Sequence, residues 1–146
     1  MAGSTSSSSR SVTLNVMLWI AQVLVAVLFI AIGIMKLTTP IPDLAKMIPW
    51  AGQLPAAFVR FIAVVDLAGG IGILFPALTR IKSSLTVLAA LGCSVLQVLA
   101  IMFHLSRGEG MLTPFNFVLL ALSLFILWGR GKKIPIRPRS VVRAQG

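Results

Sequence analysis

The sequence is short of the residues that most catalytic and cofactor sites need. It contains one cysteine, one histidine and no tyrosine, which excludes an internal disulfide, a Cys-x-x-Cys pair and a bis-histidine haem site within one chain. It contains three acidic residues, and 11% of its residues are charged, against roughly 25% in a soluble domain. We therefore predict no metal site and no ordinary soluble fold.

Apolar residues are abundant instead, at 58% of the chain with a mean hydropathy of +1.00. Disordered chains are polar and poor in aliphatic residues, so disorder is excluded as well. Four apolar segments are close in length to the ~20 residues that cross a bilayer, and they cover residues 14–35, 57–78, 83–105 and 112–128. We predict an all-α, multi-pass membrane protein: a bundle of four transmembrane helices.

Thirteen lysines and arginines give a net charge of +10, and their distribution indicates membrane topology rather than nucleic-acid binding. Nine of them lie in the N-terminal tail, the second loop and the C-terminal tail, and four lie in or beside the first and third loops. The positive-inside rule then predicts that both termini are cytoplasmic. The absence of a targeting peptide favours the plasma membrane of a bacterium.

Two tails flank the predicted membrane domain, which covers residues 14–130. Residues 1–13 are rich in serine and are predicted to form a flexible cytoplasmic tail. Residues 131–146 are predicted to form a basic cytoplasmic tail. Basic residues at this end of the chain are expected to contact anionic lipid head groups: Arg130, Lys132, Lys133, Arg137, Arg139 and Arg143.

The first loop, residues 36–56, carries four prolines that prevent one continuous helix. Between Ile41 and Trp50, apolar residues alternate with Asp43 and Lys46 at helical spacing. We therefore predict a short amphipathic helix in the outer interface of the membrane, with Trp50 as its anchor. Small residues in the second and third apolar segments are expected to let those helices pack closely.

Polar side chains within the apolar segments are the candidates for function, because each is costly in lipid unless it is paired. Asp66 lies near the middle of the second segment, and Lys36 or Gln97 is its expected partner. Its role is interpreted as a buried structural pair, a proton- or ligand-handling group, or a contact with another subunit. The predicted polar cleft opens to the outer face and comprises Lys36, Asp66, Gln97, His104 and Asn116, with Arg107 and Glu109 at its rim.

Several short motifs, by their order and spacing, resemble the DoxX-like family of small four-helix membrane proteins. They lie within about residues 14–130 and are Gly33-Ile-Met-Lys36-Leu37, Asp66-Leu-Ala-Gly-Gly-Ile-Gly-Ile-Leu-Phe-Pro76, Leu88-Ala-Ala-Leu91, His104-Leu-Ser-Arg107-Gly108-Glu109, Asn116 and Arg130. The family commonly has glutamate where this chain has Asp66. The resemblance implies a link to quinone-coupled thiosulfate oxidation, to membrane oxidoreductase complexes or to receptor-assembly chaperoning, and it carries over no catalytic residues.

Three functions follow as hypotheses. The first is a non-catalytic integral subunit or assembly factor of a larger membrane complex, such as a respiratory or other redox assembly, because the sequence has no nucleophile elbow, P-loop or dinucleotide fingerprint. The second is a quinone- or proton-handling subunit of a membrane oxidoreductase that uses Asp66 and His104. The third is a small oligomeric transporter. The chain alone is expected to bind no cofactor other than a quinone, and its expected partners are the bilayer, other integral subunits and further copies of itself.

Overall fold

The computed structural model describes residues 4–139, and these residues form α-helices joined by short turns. The helices are α1 (Ser4–Thr38), α2 (Ile41–Met47), α3 (Ala56–Thr79), α4 (Ser84–Ser106) and α5 (Thr113–Trp128). Two 3₁₀ turns cover Pro49–Gly52 and Gly110–Leu112, and a π-helical turn covers Gly129–Lys133. Four of the helical segments are long and apolar enough to cross a membrane, which confirms the predicted fold class.

The bounds of the membrane helices follow the apolar segments of the sequence. Helices α3, α4 and α5 begin and end within one residue of the predicted segments. Helix α1 differs, because it begins at Ser4 instead of Leu14 and so includes the described part of the serine-rich segment. Hydroxyl groups there donate to carbonyls of the preceding turn, as Ser11 does to Ser8 and Thr13 to Ser9. The helix extends beyond its apolar part because adding residues to an existing helix avoids the cost of nucleation.

The four long helices form a bundle in chain order, in which α3 packs on α1, α4 on α3, α5 on α4, and α1 closes against α5. Close approach depends on glycine at the α1–α3 contact. A Cβ atom at Gly33 would lie 2.9 Å from the carbonyl oxygen of Ala63, and one at Gly70 would lie 2.9 Å from that of Ala26. Small residues therefore hold these two backbones together, as expected where lipid supplies no hydrophobic force between helices.

The lipid-facing surface of the bundle is apolar along its length. Large hydrophobic side chains are half or more exposed on each long helix, including Val27 on α1, Phe75 on α3, Leu88 on α4 and Val118 on α5. A soluble protein rarely exposes so much contiguous apolar surface. The surface is thus suited to lipid, and the protein is a multi-pass membrane protein.

The α3–α4 connection lies at the end of the bundle where α1 begins and α5 ends. It is short, and Arg80 and Lys82 adopt left-handed backbone conformations there, with φ of 58° and 47°. The chain beyond α5 packs on this turn: the Arg139 N–H donates to the Arg80 carbonyl at 3.0 Å, and the Ser83 hydroxyl donates to the Ile136 carbonyl at 2.9 Å. The described part of the basic tail is therefore attached to the bundle.

Arg130 does not make the head-group contact expected of it. It is 3% exposed, because its guanidinium points into the bundle and bonds to α1. Its Nε donates to Gln22 Oε1 at 2.7 Å, its Nη1 donates to Asn15 Oδ1 at 2.8 Å, and the group lies 5.2 Å from the ring of Trp19. Two amide acceptors and an aromatic face thus hold the cation inside, where a hydrogen-bonded arginine can be buried.

The other basic residues at this end of the bundle remain candidates for contact with anionic lipid head groups. Lys132, Lys133, Arg137 and Arg139 are exposed, so their contact with lipid head groups stays a prediction. Arg143 lies outside the described residues.

A polar cavity as the candidate functional site

A cavity of about 580 Å³ lies between the helices at the end of the bundle opposite the termini. Its volume falls within the range of ~300–1,000 Å³ that is usual for small-molecule sites. All of the long helices and the loop after α1 contribute to its walls. The structure brings together in these walls the five residues of the predicted polar cleft, which are Lys36, Asp66, Gln97, His104 and Asn116.

Lys36 and Asp66 form a buried ion pair in one wall of the cavity. The Nζ of Lys36 lies 2.8 Å from Oδ2 of Asp66, and the two residues are 9% and 5% exposed. Side chains on a helix tilt toward its N-terminus, so on these antiparallel helices Lys36 leans into the membrane and Asp66 leans toward the helix end. The two side chains therefore meet, and Lys36 turns inward rather than outward to the head groups.

The end of α1 that carries Lys36 is held by an arginine from α3. Arg60 donates through Nη1 to the Lys36 carbonyl and through Nη2 to the Thr39 carbonyl, the latter at 2.9 Å. The last carbonyls of a helix have no partner within the helix, and a cation there is favourable. Arg60 thus positions the backbone from which Lys36 reaches Asp66.

Aromatic side chains form much of the remaining wall. The ring of Trp50 packs edge-to-face on Phe103 at a centroid distance of 6.0 Å, and Lys36 Nζ lies 5.5 Å from the Trp50 ring. Trp50 is 8% exposed, so it is a buried wall residue and not the interfacial anchor that its sequence predicts. Five of the eleven phenylalanines and tryptophans line the cavity: Phe29, Trp50, Phe58, Phe103 and Phe115.

The α4 wall contributes an amide without a protein partner. Gln97 is 5% exposed, and its Oε1 is buried without a hydrogen-bond donor among the described residues. The expected hydrogen bond between Gln97 and Asp66 is not made among the described residues; Asp66 is paired instead with Lys36, through Oδ2. Asn116 on α5 is half-buried on the cavity wall and adds a second amide.

His104 lies at the cavity end of α4 and is bound by the predicted rim residues. Its Nδ1 is 2.9 Å from Glu109 Oε2, and Arg107 Nε donates to Glu109 Oε1 at 3.1 Å. Gly108 ends α4 with a φ of 73°, which turns the chain back so that the Glu109 N–H donates to the His104 carbonyl at 2.9 Å. Arg107 also donates to Gln53 Oε1, which links this rim to the first loop.

The hydrogen bond from His104, and then those from Arg107, hold the pKa of Glu109 below its ordinary value of 4.5. Glu109 is therefore ionised at neutral pH and accepts hydrogen bonds only. The cavity wall thus combines a buried ion pair, two amides and a carboxylate-bound imidazole with aromatic side chains. Within residues 4–139, no three histidine, cysteine or acidic residues lie close enough together to bind a metal ion.

Comparison with known protein families gives one match. The sequence profile described as the DoxX-like family matches residues 20–126, which is most of the chain. This chain belongs to the DoxX-like family. Comparisons with curated proteins and with solved structures gave no match.

The residues that sequence analysis missed in this DoxX-like chain are those whose partners lie far along the sequence. Trp50 and Arg60 have the sequence signature of interfacial residues, since Trp50 lies in the first loop and Arg60 is the fourth residue of the second apolar segment. Gln22 lies within the first apolar segment, and Arg130 ends the last one; their separation of 108 residues carries no periodic signal. From the sequence, Gln22 could be recognised only as a polar residue within an apolar segment, and the same signal identifies Asp66 and Gln97.

Proposed function

We propose that this protein is the ligand-binding, non-catalytic subunit of a membrane redox complex, and that its cavity binds a lipophilic aromatic molecule of the quinone class. The observation that carries the proposal is a cavity between the membrane helices whose walls combine aromatic side chains with polar groups. A quinone-class ligand has a flat polar ring and an apolar tail, so it matches both parts of the wall. Packing alone gives no reason to leave such a space between helices.

The polar residues have distinct tasks in this proposal. Asn116 and Gln97 orient the ring through hydrogen bonds, and the pair of Lys36 with Asp66 sets the charge beside it. His104 and Glu109 connect the cavity with the aqueous rim and exchange protons with the ligand. The chain has one histidine and one cysteine, so we assign the electron-carrying groups to partner subunits.

Tryptophan fluorescence tests the proposal directly, because quinones quench indole and the chain has three tryptophans. Trp19→Phe with Trp128→Phe leaves Trp50, in the cavity wall, as the reporter. We expect a short-chain quinone to quench Trp50 saturably in nanodiscs. The matched control retains Trp128 alone, which is 42% exposed at the other end of the bundle, and should be quenched in proportion to quinone in the membrane. Linear quenching of Trp50, equal to that of Trp128, would contradict the proposal.

Purification from native membranes in mild detergent tests the assignment to a complex. We expect an integral partner that carries haem, flavin or an iron–sulfur cluster to co-purify in fixed ratio, with its absorbance in the eluate. A colourless protein that purifies alone or only with itself would argue against a redox complex and leave the ligand site as an independent function.

A further inference from the structure

A second cavity is a groove between α3 and α4, with a volume of about 350 Å³. It extends from Pro76 and Leu85, close to the turn that joins these helices, to Val65 and Leu96. Its ends are about eleven residues apart on each helix, which corresponds to about 16 Å at 1.5 Å per residue. This length is about half of the ~30 Å hydrocarbon core. The groove therefore has the length of one leaflet of the bilayer, on the side of the α3–α4 turn.

The groove opens toward lipid and has an apolar lining. Ala68, Leu88 and Gly92 line it and are exposed, and none of its lining residues is charged. A Cβ atom added at Gly92 would have nothing within 4 Å, so the protein itself does not fill this space. An acyl chain is apolar, is flexible and has the length of one leaflet, so it is the group that fits the groove at this depth.

Four cations surround the end of the groove at the α3–α4 turn. Arg80 and Lys82 belong to the turn, and the chain after α5 brings Arg137 and Arg139 beside it. The Nε of Arg80 donates to the Arg137 carbonyl at 3.1 Å, and the Arg139 N–H donates to the Arg80 carbonyl at 3.0 Å. All four residues are exposed, so their charged groups are accessible at the level of the lipid head groups.

These cations have no carboxylate side chain near them. The chain has three acidic residues, Asp43, Asp66 and Glu109, and within residues 4–139 each is paired with a basic residue in the other half of the bundle. Like charges held close together repel each other unless an anion lies among them. Arginine binds phosphate through two parallel hydrogen bonds, and a lipid phosphate lies at this level of the membrane. Basic residues beside a groove between membrane helices are suited to anionic lipid head groups.

We propose that the α3–α4 groove and the four cations form a specific binding site for one anionic phospholipid. An acyl chain lies in the groove, and the phosphate lies among Arg80, Lys82, Arg137 and Arg139. The site differs from general attraction between basic residues and head groups, because it places the lipid at one pair of helices. It also needs both parts of the lipid, since the groove holds the chain and the cations hold the charge.

Native mass spectrometry of the full chain, purified in detergent and freed of lipid, tests the site with three matched probes. They are phosphatidylglycerol, phosphatidylcholine with the same acyl chains, and glycerol phosphate without chains. We expect one phosphatidylglycerol to bind saturably, about tenfold or more tightly than phosphatidylcholine, and glycerol phosphate not to displace it at equal concentration. Equal binding of the two lipids would overturn the role of the cations. Displacement by glycerol phosphate would overturn the role of the groove, and a dimer that forms in place of the lipid adduct would overturn the site.

The double variant Arg137→Gln with Arg139→Gln tests the cations. We expect it to lose most of the preference for phosphatidylglycerol. Lys132→Gln with Lys133→Gln is the matched control, because it removes the same charge from the same end of the bundle, in the turn after α5. This control should keep the preference. An equal loss in both double variants would show general attraction to anionic lipid and overturn the specific site.

The variant Gly92→Leu tests the groove, because its side chain enters the space that the acyl chain occupies. Leucine favours a helix more than glycine does, so we expect the protein to fold. We expect its affinity for phosphatidylglycerol to fall about tenfold, as a filled apolar site predicts. Ala121→Leu is the matched control, since Ala121 is exposed on α5 outside the groove, and its affinity should not change. Unchanged affinity in Gly92→Leu would overturn the placement of the chain.

Discussion

At the scale of single residues, Lys36 and Asp66 show how a charged group is kept within the membrane. Each is costly in lipid alone, and their 2.8 Å contact offsets that cost only while both partners are present. Replacing a whole buried pair by apolar groups is often neutral, whereas removal of one partner leaves an uncompensated charge. Comparing a single variant with the double variant therefore distinguishes a structural role of the pair from a role in ligand binding.

We expect Asp66→Asn to destabilise the protein by about 3–5 kcal/mol, because it leaves the Lys36 ammonium buried without its counter-ion. The double variant Lys36→Met with Asp66→Leu should recover most of this loss. Unfolding in detergent, followed by circular dichroism, measures both. If the pair also serves the ligand, the double variant folds and its Trp50 is no longer quenched saturably; normal quenching would assign the pair to structure alone.

Glu109 gives the rim of the cavity a dependence on pH. Its pKa in the folded protein is lowered, first by the hydrogen bond from His104, so its interactions stabilise the fold above its ordinary pKa of 4.5 and are lost as pH falls through the lower folded value. We expect the melting temperature to decrease below about pH 4.5, and Glu109→Gln to reduce that decrease. Asp43→Asn is the control, since Asp43 makes an exposed bond to Lys46 within α2. A Glu109→Gln profile parallel to that of the unaltered protein would refute the linkage.

At the scale of helices, the distance between α1 and α3 decides whether the site forms. Gly33 and Gly70 let the two backbones approach, and Lys36 reaches Asp66 across that contact. The bounds of α3, α4 and α5 were predictable because hydropathy and proline are local signals, whereas the polar start of α1 carries no such signal. Which glycine faces which helix was not predictable: Gly70 contacts α1, whereas Gly72 on the same helix contacts Ala89 of α4.

The variant Gly70→Ala tests this contact. Its Cβ would lie 2.8 Å from Ile30 Cγ1 and 2.9 Å from the Ala26 carbonyl oxygen, so α1 and α3 must separate. We expect a loss of about 1–3 kcal/mol in stability, as for other overpacked sites. Gly92→Ala is the control, because nothing lies within 4 Å of the added atom and alanine favours the helix. Equal melting temperatures for the two variants in detergent would contradict a close α1–α3 contact at Gly70.

At the scale of the whole molecule, the two ends of the bundle differ: one holds the cavity and the acidic residues, and the other holds most of the basic residues. The three acidic residues belong to the half that holds the cavity, and eight of the twelve basic residues within residues 4–139 belong to the end where α1 begins and α5 ends. Under the positive-inside rule, we propose that the termini are cytoplasmic and that the His104–Glu109 rim faces the opposite side of the membrane. Protons exchanged at the rim then enter or leave on that side.

Cysteine accessibility tests the orientation. Cys93→Ala removes the single native thiol, which is buried. In that background, we expect a membrane-impermeant maleimide to label Met111→Cys in intact bacterial cells, since Met111 is 93% exposed beside the cavity rim. Lys132→Cys, at the end with the termini, should be labelled only after the cells are permeabilised. The reverse pattern of labelling would invert the topology.

The fold class, the number of membrane helices, the bounds of α3, α4 and α5, and the polar residues that line the cavity were all predictable from the sequence. These follow from hydropathy, helix period and proline, which act within a few turns of chain, and from the cost of polar groups in lipid. The pairing of the polar groups required the packed bundle: Lys36 pairs with Asp66, Arg130 pairs with Gln22, and Gln97 Oε1 has no donor within residues 4–139. Those choices depend on distances between helices that are remote in sequence, and the glycine contacts that set these distances are a property of the packed bundle.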